Sequence, residues 1–292
     1  GISICFILII LQTKREKILF FSLYTLNPIV IRYATFPFYY FWTCIPAALL
    51  AAQILRKDLS SQLAVIGTPL ILISTLIRPT STITAALFYA LPIYRSFRSK
   101  QSKKNNIYLL SACFALFIAS VLVVNKHNPR ALPWHTMYCG TGAYANSGLA
   151  KTPYDSEGFN LFYKKTNIKL DPTPVKGNYY DQKIKTKYEV LLKEKYLLWA
   201  REKPIIAIKH AALNFGQMYS VGYIVSSRNL SLLSSLLGWG VFVYLIRAGK
   251  SIWALAIFST GAMYFWYFPP IPVYNYASYI LLASSLASRN KY

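Results

Sequence analysis

The chain has 292 residues, enough for two ordinary soluble domains, but only 14% of them are charged and 55% are hydrophobic. Soluble domains usually carry about 25% charged residues, so this composition argues against a soluble protein. The net charge of +23 is spread over short basic clusters between apolar blocks. This distribution is typical of the loops of membrane proteins and argues against a nucleic-acid partner.

Apolar blocks recur along the chain, and a helix needs about 20 residues to cross the hydrocarbon of a bilayer. The first block is apolar from Gly1 onward and has no positively charged region before it, so it does not have the pattern of a signal peptide. We therefore expect an N-terminally truncated fragment that begins within a spanning helix. The predicted spans are 1–11 (partial), 18–35, 38–55, 62–78, 81–94, 107–124, 229–246, 251–268 and 273–288.

The basic clusters fall after alternate spans, so placing all of them in the cytoplasm gives a consistent topology. The sequence predicts an all-α polytopic transmembrane helix bundle of about nine spans, with one large extracytoplasmic loop region that contains amphipathic helices. The expected domains are transmembrane helices at 1–124, the loop region at 125–228 and C-terminal transmembrane helices at 229–292. This topology requires that 205–225, which contains Lys209 and His210, is an interfacial helix rather than a span.

The loop region contains one strongly amphipathic segment at 181–202. Ile184, Tyr188, Leu191 and Leu198 fall on one helical face, and charged residues fill the other. We predict a helix that lies on the membrane surface and ends before Pro204.

Acidic residues are scarce and lie outside the predicted spans. The chain has nine of them, of which seven fall in the loop region. Ion-coupled transporters and proton pumps normally use carboxylates within the membrane, so this pattern disfavours that class. The cysteines and histidines have no metal-ligand spacing, and we predict neither a metal site nor a cofactor.

Two arginines, Arg32 and Arg78, fall at the outer ends of predicted spans. An ionisable residue in a membrane costs at least ~2.5 kcal/mol and usually marks a functional site. Because guanidinium groups bind phosphate oxygens in a bidentate fork, the pair is a candidate site for an anionic lipid phosphate. The alternative is that both side chains reach ordinary lipid headgroups.

Three further candidates for substrate binding lie in the loop region. His135 is a candidate acid, base or hydrogen-bond donor near neutral pH, and the alternative is a structural histidine beside Trp134. Asp155 and Glu157, two residues apart, either point to one ligand or form a solvated turn.

Several segments together resemble the C-terminal two-thirds of the type-C glycosyltransferase superfamily, which includes protein O-mannosyltransferases and lipid A aminoarabinose transferases. NPIVIRYATFPFYYFW is similar to a proline-containing loop that leads into an aromatic helix, and LAVIGTPLILISTLIRPTS to a helix that ends in an Arg-Pro turn. WHTMYCGTGAYANSGLAKTPYDSEGF resembles an outside segment of bacterial members. YEVLLKEKYLLWAREKPIIAIKHAALNFGQMYSVGY resembles the amphipathic stretch that follows it.

This resemblance implies a multi-pass protein of the bacterial plasma membrane, in contact with membrane lipids. It implies transfer of a sugar from a polyprenyl-phosphate donor to an acceptor at the extracytoplasmic face. Arg78 would contact the phosphate of the donor. The resemblance places the catalytic base in an outside loop ahead of the helices present here, so we expect it upstream of Gly1 and leave the catalytic residue of this chain unknown.

Two other functions remain open from the sequence. One is a lipid or solute transporter, such as a flippase, although mid-span residues are mostly Ile, Leu, Ala, Ser and Thr. The other is a catalytically inactive remnant of a transferase.

Overall fold

A computed structural model describes residues 2–27, 30–31, 42–77, 79–98, 104–127, 134–144, 148–173, 177–219, 228–262 and 276–288. The fold of these residues is all-α, without strands, as the sequence predicts. Their helices are α1 (Ile2–Ile10), α2 (Lys14–Thr25), α3 (Cys44–Leu55), α4 (Ser60–Ile77), α5 (Thr82–Arg98), α6 (Lys104–His127), α7 (Trp134–Gly140), α8 (Asp155–Thr166), α9 (Gln182–Glu202), α10 (Pro204–Gly216), α11 (Arg228–Arg247), α12 (Ser251–Gly261) and α13 (Tyr276–Ala287).

The chain divides into two compact units. Unit 1 comprises Gly1–Val124, Tyr219–Met263 and Ile271–Tyr292, and it contains the helices from both ends of the sequence. Unit 2 comprises Asn125–Met218 and Tyr264–Pro270, and it contains α7 to α10.

Unit 1 is organised around α3, whose alanine-rich sequence CIPAALLAAQIL is buried along most of its length. Small side chains let neighbouring helices approach closely. Helix α3 accordingly contacts α1, α4, α5, α12 and α13. The largest side chains in this core are aromatic, and include Phe20, Phe88, Tyr89, Phe117 and Trp253.

Hydroxyl groups join the helices of unit 1 within this apolar core. The hydroxyls of Thr68 in α4 and Tyr89 in α5 are 2.9 Å apart. Ser259 in α12 donates to Thr84 in α5 over 3.2 Å, and Thr260 pairs with Ser278 of α13. Such neutral hydrogen bonds between helices satisfy buried polar groups and are common where helices pack in a membrane.

Several basic residues that the sequence assigns to cytoplasmic loops lie at helix ends in unit 1. Arg56 follows α3 and forms an ion pair with Asp58 at 2.9 Å. Lys250 precedes α12 and donates to the carbonyl oxygens of Ser285 and Ser288, the latter over 2.9 Å. The backbone carbonyls near a helix C-terminus attract such cations.

Helix length supports fewer spans than the sequence predicts. Within the described residues one helix, α4 with its 18 residues, is both long and apolar enough to cross a membrane. The other apolar helical stretches are shorter: Cys44–Leu55, Ile107–Val123, Leu232–Arg247, Ser251–Gly261 and Ala277–Ala287. A bundle of nine spans is therefore not supported, because 10 to 17 apolar residues fall below the length a spanning helix needs.

Unit 2 is built on α9, which contacts α7, α8 and α10. The helix starts where Asp181 accepts hydrogen bonds from the N–H groups of Lys183 and Ile184, as an N-cap residue does. Its buried side includes Tyr188, Leu192 and Trp199. The amphipathic face predicted to lie on a membrane thus includes Tyr188, which contributes to a small core with Tyr138, Cys139 and Phe162.

Candidate functional site

The side chain of His135 is the centre of a polar cluster in unit 2. It projects from the first turn of α7, and both of its ring nitrogens have partners. Nδ1 lies 2.5 Å from the hydroxyl oxygen of Tyr188 in α9, and Nε2 lies 3.0 Å from a carboxylate oxygen of Asp155 in α8. Three helices therefore meet at one imidazole ring, which cannot rotate without breaking two hydrogen bonds.

Glu189 fixes the backbone that carries this histidine. Its carboxylate accepts a hydrogen bond from the N–H of His135 over 3.2 Å, and the residue is only 2% exposed. The first N–H groups of a helix have no partner within the helix and attract negative charge. Glu189 therefore satisfies the start of α7 from a helix 54 residues away. Its pKa is raised by burial, which the hydrogen bond from His135 partly offsets.

A glycine allows α8 to approach the cluster closely. A Cβ atom added at Gly158 would lie 2.2 Å from the Tyr188 hydroxyl oxygen and 3.3 Å from His135 Nδ1. The next residue, Phe159, stacks on the imidazole with ring centroids 5.8 Å apart. The absence of a side chain at position 158 thus permits the contact between α8 and the other two helices.

The electrostatics of the cluster favour a charged pair of His135 and Asp155. Burial alone lowers the pKa of His135, but the hydrogen bonds to Asp155 and Cys139 outweigh it and raise this pKa to about 10. The hydrogen bond from His135 lowers the pKa of Asp155, and burial raises the pKa of Tyr188. At neutral pH an imidazolium consequently donates from Nε2 to the carboxylate and from Nδ1 to a neutral tyrosine hydroxyl.

The Asp155 carboxylate is the accessible end of this chain of hydrogen bonds. Its side chain is 75% exposed, whereas that of His135 is 15% exposed. Tyr154, the residue before it, is also exposed. Solvent therefore reaches an ionised carboxylate whose orientation is fixed by its hydrogen bond to the more buried His135. The aromatic residue Tyr154 is its neighbour in the sequence.

The five predicted binding residues have different positions relative to this cluster. His135 and Asp155 are in direct contact. Glu157 is not part of the cluster, because its carboxylate accepts hydrogen bonds from the Lys151 N–H and the Thr152 hydroxyl. Asp155 and Glu157 thus have separate partners. Arg32 and Arg78 lie outside the described residues.

Tyr188 and Glu189 belong to the cluster but are not among the binding residues predicted from the sequence. Both lie on the buried side of α9. Leu192, which is four residues after Tyr188 and three after Glu189, lies on the same side. The available signal for Glu189 was a glutamate at a position where the helical period predicts burial. Buried carboxylates are rare unless they have partners, so such a residue indicates a buried partner. Its partner, the start of α7, is too distant in sequence to be recognised.

The described residues of the cluster are joined by hydrogen bonds and ring contacts. In the part of the chain that the structure describes, no group of three or more His, Cys, Asp or Glu side chains is placed to hold a metal ion.

The glycine-rich CGTG segment has a packing role, since a Cβ at Gly142 would lie 2.2 Å from the carbonyl oxygen of Thr152.

Comparison with known proteins adds no relative to this description. No protein-family model matches the chain, and no curated protein or solved structure matches it.

Proposed function

We propose that the chain is part of a membrane glycosyltransferase, with unit 1 in the bilayer and unit 2 in water at the extracytoplasmic face. The reaction would transfer a hexose or pentose from a polyprenyl-phosphate donor to an acceptor. The observation that carries this proposal is the exposed Asp155 carboxylate, which is hydrogen-bonded to His135, whose other ring nitrogen is paired with the Tyr188 hydroxyl.

The surface of unit 1 supports a bilayer environment. Large apolar side chains are exposed along α2, α4, α6 and α11, among them Ile66, Leu76, Leu122 and Leu236. Exposed apolar surface on this scale is unfavourable in water and is expected where helices face lipid. Its hydroxyl pairs also agree with helix packing in a bilayer. The helices of fewer than 18 residues would require local thinning of the bilayer or flanking side chains that reach its surface.

The geometry at Asp155 suits recognition of a sugar. A carboxylate accepts hydrogen bonds from two neighbouring hydroxyl groups, and such charge-assisted bonds are shorter and stronger than neutral ones. The ring of Tyr154 offers an exposed apolar face beside it. His135 acts as a positioning residue, because it holds the carboxylate ionised and directed while remaining mostly buried itself.

The remaining roles follow the segment resemblance. Arg78, and with it Arg32, would contact the phosphate of the donor, since guanidinium groups pair with phosphate oxygens. Asp155 is proposed as a binding residue and not as the catalytic base. Glu157 is proposed to support the loop at 151–152, to which it is hydrogen-bonded.

Binding to nanodiscs that contain the 292-residue chain tests this proposal without requiring turnover. The probes are decaprenyl-phosphate mannose, decaprenyl-phosphate arabinose and decaprenyl phosphate without a sugar. We expect one of the two sugar lipids to bind about tenfold more tightly than decaprenyl phosphate, a difference of about 1.4 kcal/mol. Asp155→Asn should remove this difference and leave the affinity for decaprenyl phosphate unchanged.

Glu194→Gln is the matched control, because Glu194 is an exposed carboxylate of α9. This variant should bind all three lipids as the unaltered chain does. Equal binding of sugar lipids to the Asp155→Asn variant and the unaltered chain would contradict the role of Asp155. Movement of the lipids across vesicles without a change in their affinity for Asp155→Asn would favour the flippase alternative.

A further inference from the structure

A separate cavity lies in unit 2, away from the exposed carboxylate of Asp155. Its volume is about 720 Å³, within the range of about 300–1,000 Å³ usual for small-molecule pockets. The walls come from α7, α9 and α10, and small residues such as Ala200, Ala207 and Ala211 leave the space open. Ile208 and Phe215 complete an apolar lining.

One polar side chain in this lining has a buried atom without a partner. His210 is 8% exposed, and among the described residues nothing forms a hydrogen bond with its Nδ1. Its ring is held between Tyr144, with centroids 4.9 Å apart, and Trp199, with centroids 5.5 Å apart. A buried nitrogen without a hydrogen bond is unfavourable, so a ligand that completes the bond after a small movement of the ring would be favoured.

Asn214 places a second polar group one helical turn from His210 on α10. It is also buried, and its side-chain oxygen accepts a hydrogen bond from the Tyr144 hydroxyl over 2.7 Å. Residues four apart on a helix share a face. His210 and Asn214 therefore lie on one face of α10, and Thr141 and Tyr196 add polar side chains elsewhere in a lining that is otherwise apolar.

The charge of the cavity lining restricts the ligand. Among the described residues that line the cavity there is no lysine, arginine, aspartate or glutamate. Burial and the nearby Lys209 lower the pKa of His210, so its ring is neutral at physiological pH. An ionised headgroup would lose its hydration without gaining a counter-charge. A phosphate or carboxylate is thus disfavoured, and an uncharged hydrogen-bonding group is favoured.

The cavity also has an apolar surface at its edge. Ile208 lines the cavity and yet is 69% exposed, and Ile205 on the preceding turn is exposed as well. A ligand with a hydrocarbon chain would bury apolar surface both inside the cavity and against these side chains.

We propose that this cavity binds an uncharged single-chain amphiphile, with its hydroxyl group hydrogen-bonded to His210 Nδ1 and its hydrocarbon chain between α7, α9 and α10. The site is distinct from the sugar site proposed at Asp155 and does not depend on it. Its ligand would come from the neutral lipids of a membrane.

Native mass spectrometry of the detergent-purified 292-residue chain tests this proposal. The probes share one oleoyl chain: 1-oleoylglycerol, oleic acid and 1-oleoylglycerol 3-phosphate. We expect 1-oleoylglycerol to bind at a single site and at least about tenfold more tightly than either charged probe. Failure of 1-oleoylglycerol to bind, or tighter binding of a charged probe, would overturn the proposal.

Two variants test the position of the ligand. Ala211→Met should fill part of the cavity and weaken 1-oleoylglycerol binding by about tenfold or more. His210→Phe keeps a planar ring but removes both nitrogens, and should weaken binding about fivefold. The far-ultraviolet circular dichroism of each variant should match that of the unaltered chain. If both folded variants bind 1-oleoylglycerol with unchanged affinity, the ligand does not occupy this cavity.

Asp155→Asn should retain full affinity for 1-oleoylglycerol, which separates this proposal from the sugar site.

Discussion

The two units differ in the kind of polar side chain that they bury. In the described part of unit 1, the buried polar residues are Ser, Thr and Gln, and its surface carries many large apolar side chains. Unit 2 buries Lys185, Glu189 and His210. A buried charge requires partners and dipoles that a packed, water-surrounded domain supplies, whereas neutral hydroxyls are compatible with a bilayer. This difference agrees with the different solvents proposed for the two units.

Two helical glycines, one in each unit, differ in the space around them. In unit 2 the absent side chain of Gly158 leaves room for the Tyr188 hydroxyl, whereas a Cβ at Gly240 of α11 in unit 1 would meet no atom within 4 Å. We expect Gly158→Ala to destabilise unit 2 by about 2 kcal/mol, because the helices or the His135–Tyr188 pair must move. When opening and closing of unit 2 are fast relative to cleavage, the cleavage rate is proportional to the fraction of molecules in which unit 2 is open. Under these conditions trypsin should cleave within unit 2 roughly 30-fold faster in the variant.

Gly240→Ala is the matched control for this prediction. The substitution is the same, and both glycines lie within helices. It should stabilise the chain by about 0.5–1 kcal/mol, because alanine is favoured over glycine inside a helix and nothing opposes the added methyl group. Equal effects of the two substitutions would contradict the close packing described for α7, α8 and α9.

Sequence patterns reveal much of this organisation but not its contacts. The period of apolar residues and the Pro204 boundary predict α9 to within one residue of Gln182–Glu202, because a helix is a local structure. The partners of His135 lie 20 and 53 residues away. Contacts at such separations leave no periodic signal, so the sequence allowed His135 to be either structural or functional. The apolar face of α9 similarly predicts burial without identifying whether lipid or other helices cover it.

A smaller effect is expected from pH, and it should be confined to unit 2. The folded pKa of His135, about 10, exceeds its unfolded value of about 6.5. Its contribution to stability is therefore full below pH 6.5 and declines as the pH rises towards 10. The lowered pKa of Asp155 gives a contribution that is present above about pH 4 and is lost on acidification below it.

Thermal unfolding of the detergent-solubilised chain, followed by near-ultraviolet circular dichroism at pH 6 and pH 9, measures this effect. Because the Asp155 side chain is 75% exposed, solvent screening limits the expected loss to about 1 kcal/mol. His135→Gln should lose less stability than the unaltered chain over the same interval. Identical pH dependence of the two proteins would show that His135 is not held in its charged form by the fold.

The most direct test of the difference between the units is the reactivity of single cysteines in nanodiscs. In a variant whose four native cysteines are replaced by alanine, Leu236→Cys reports on the exposed face of α11 and Lys164→Cys on the exposed face of α8. A charged maleimide reacts with the thiolate, which hydrocarbon disfavours. We expect the cysteine at position 236 to react roughly a hundredfold more slowly than that at 164, and both to react equally in denaturing detergent. Equal reactivity in nanodiscs would contradict the placement of unit 1 in the bilayer and of unit 2 in water.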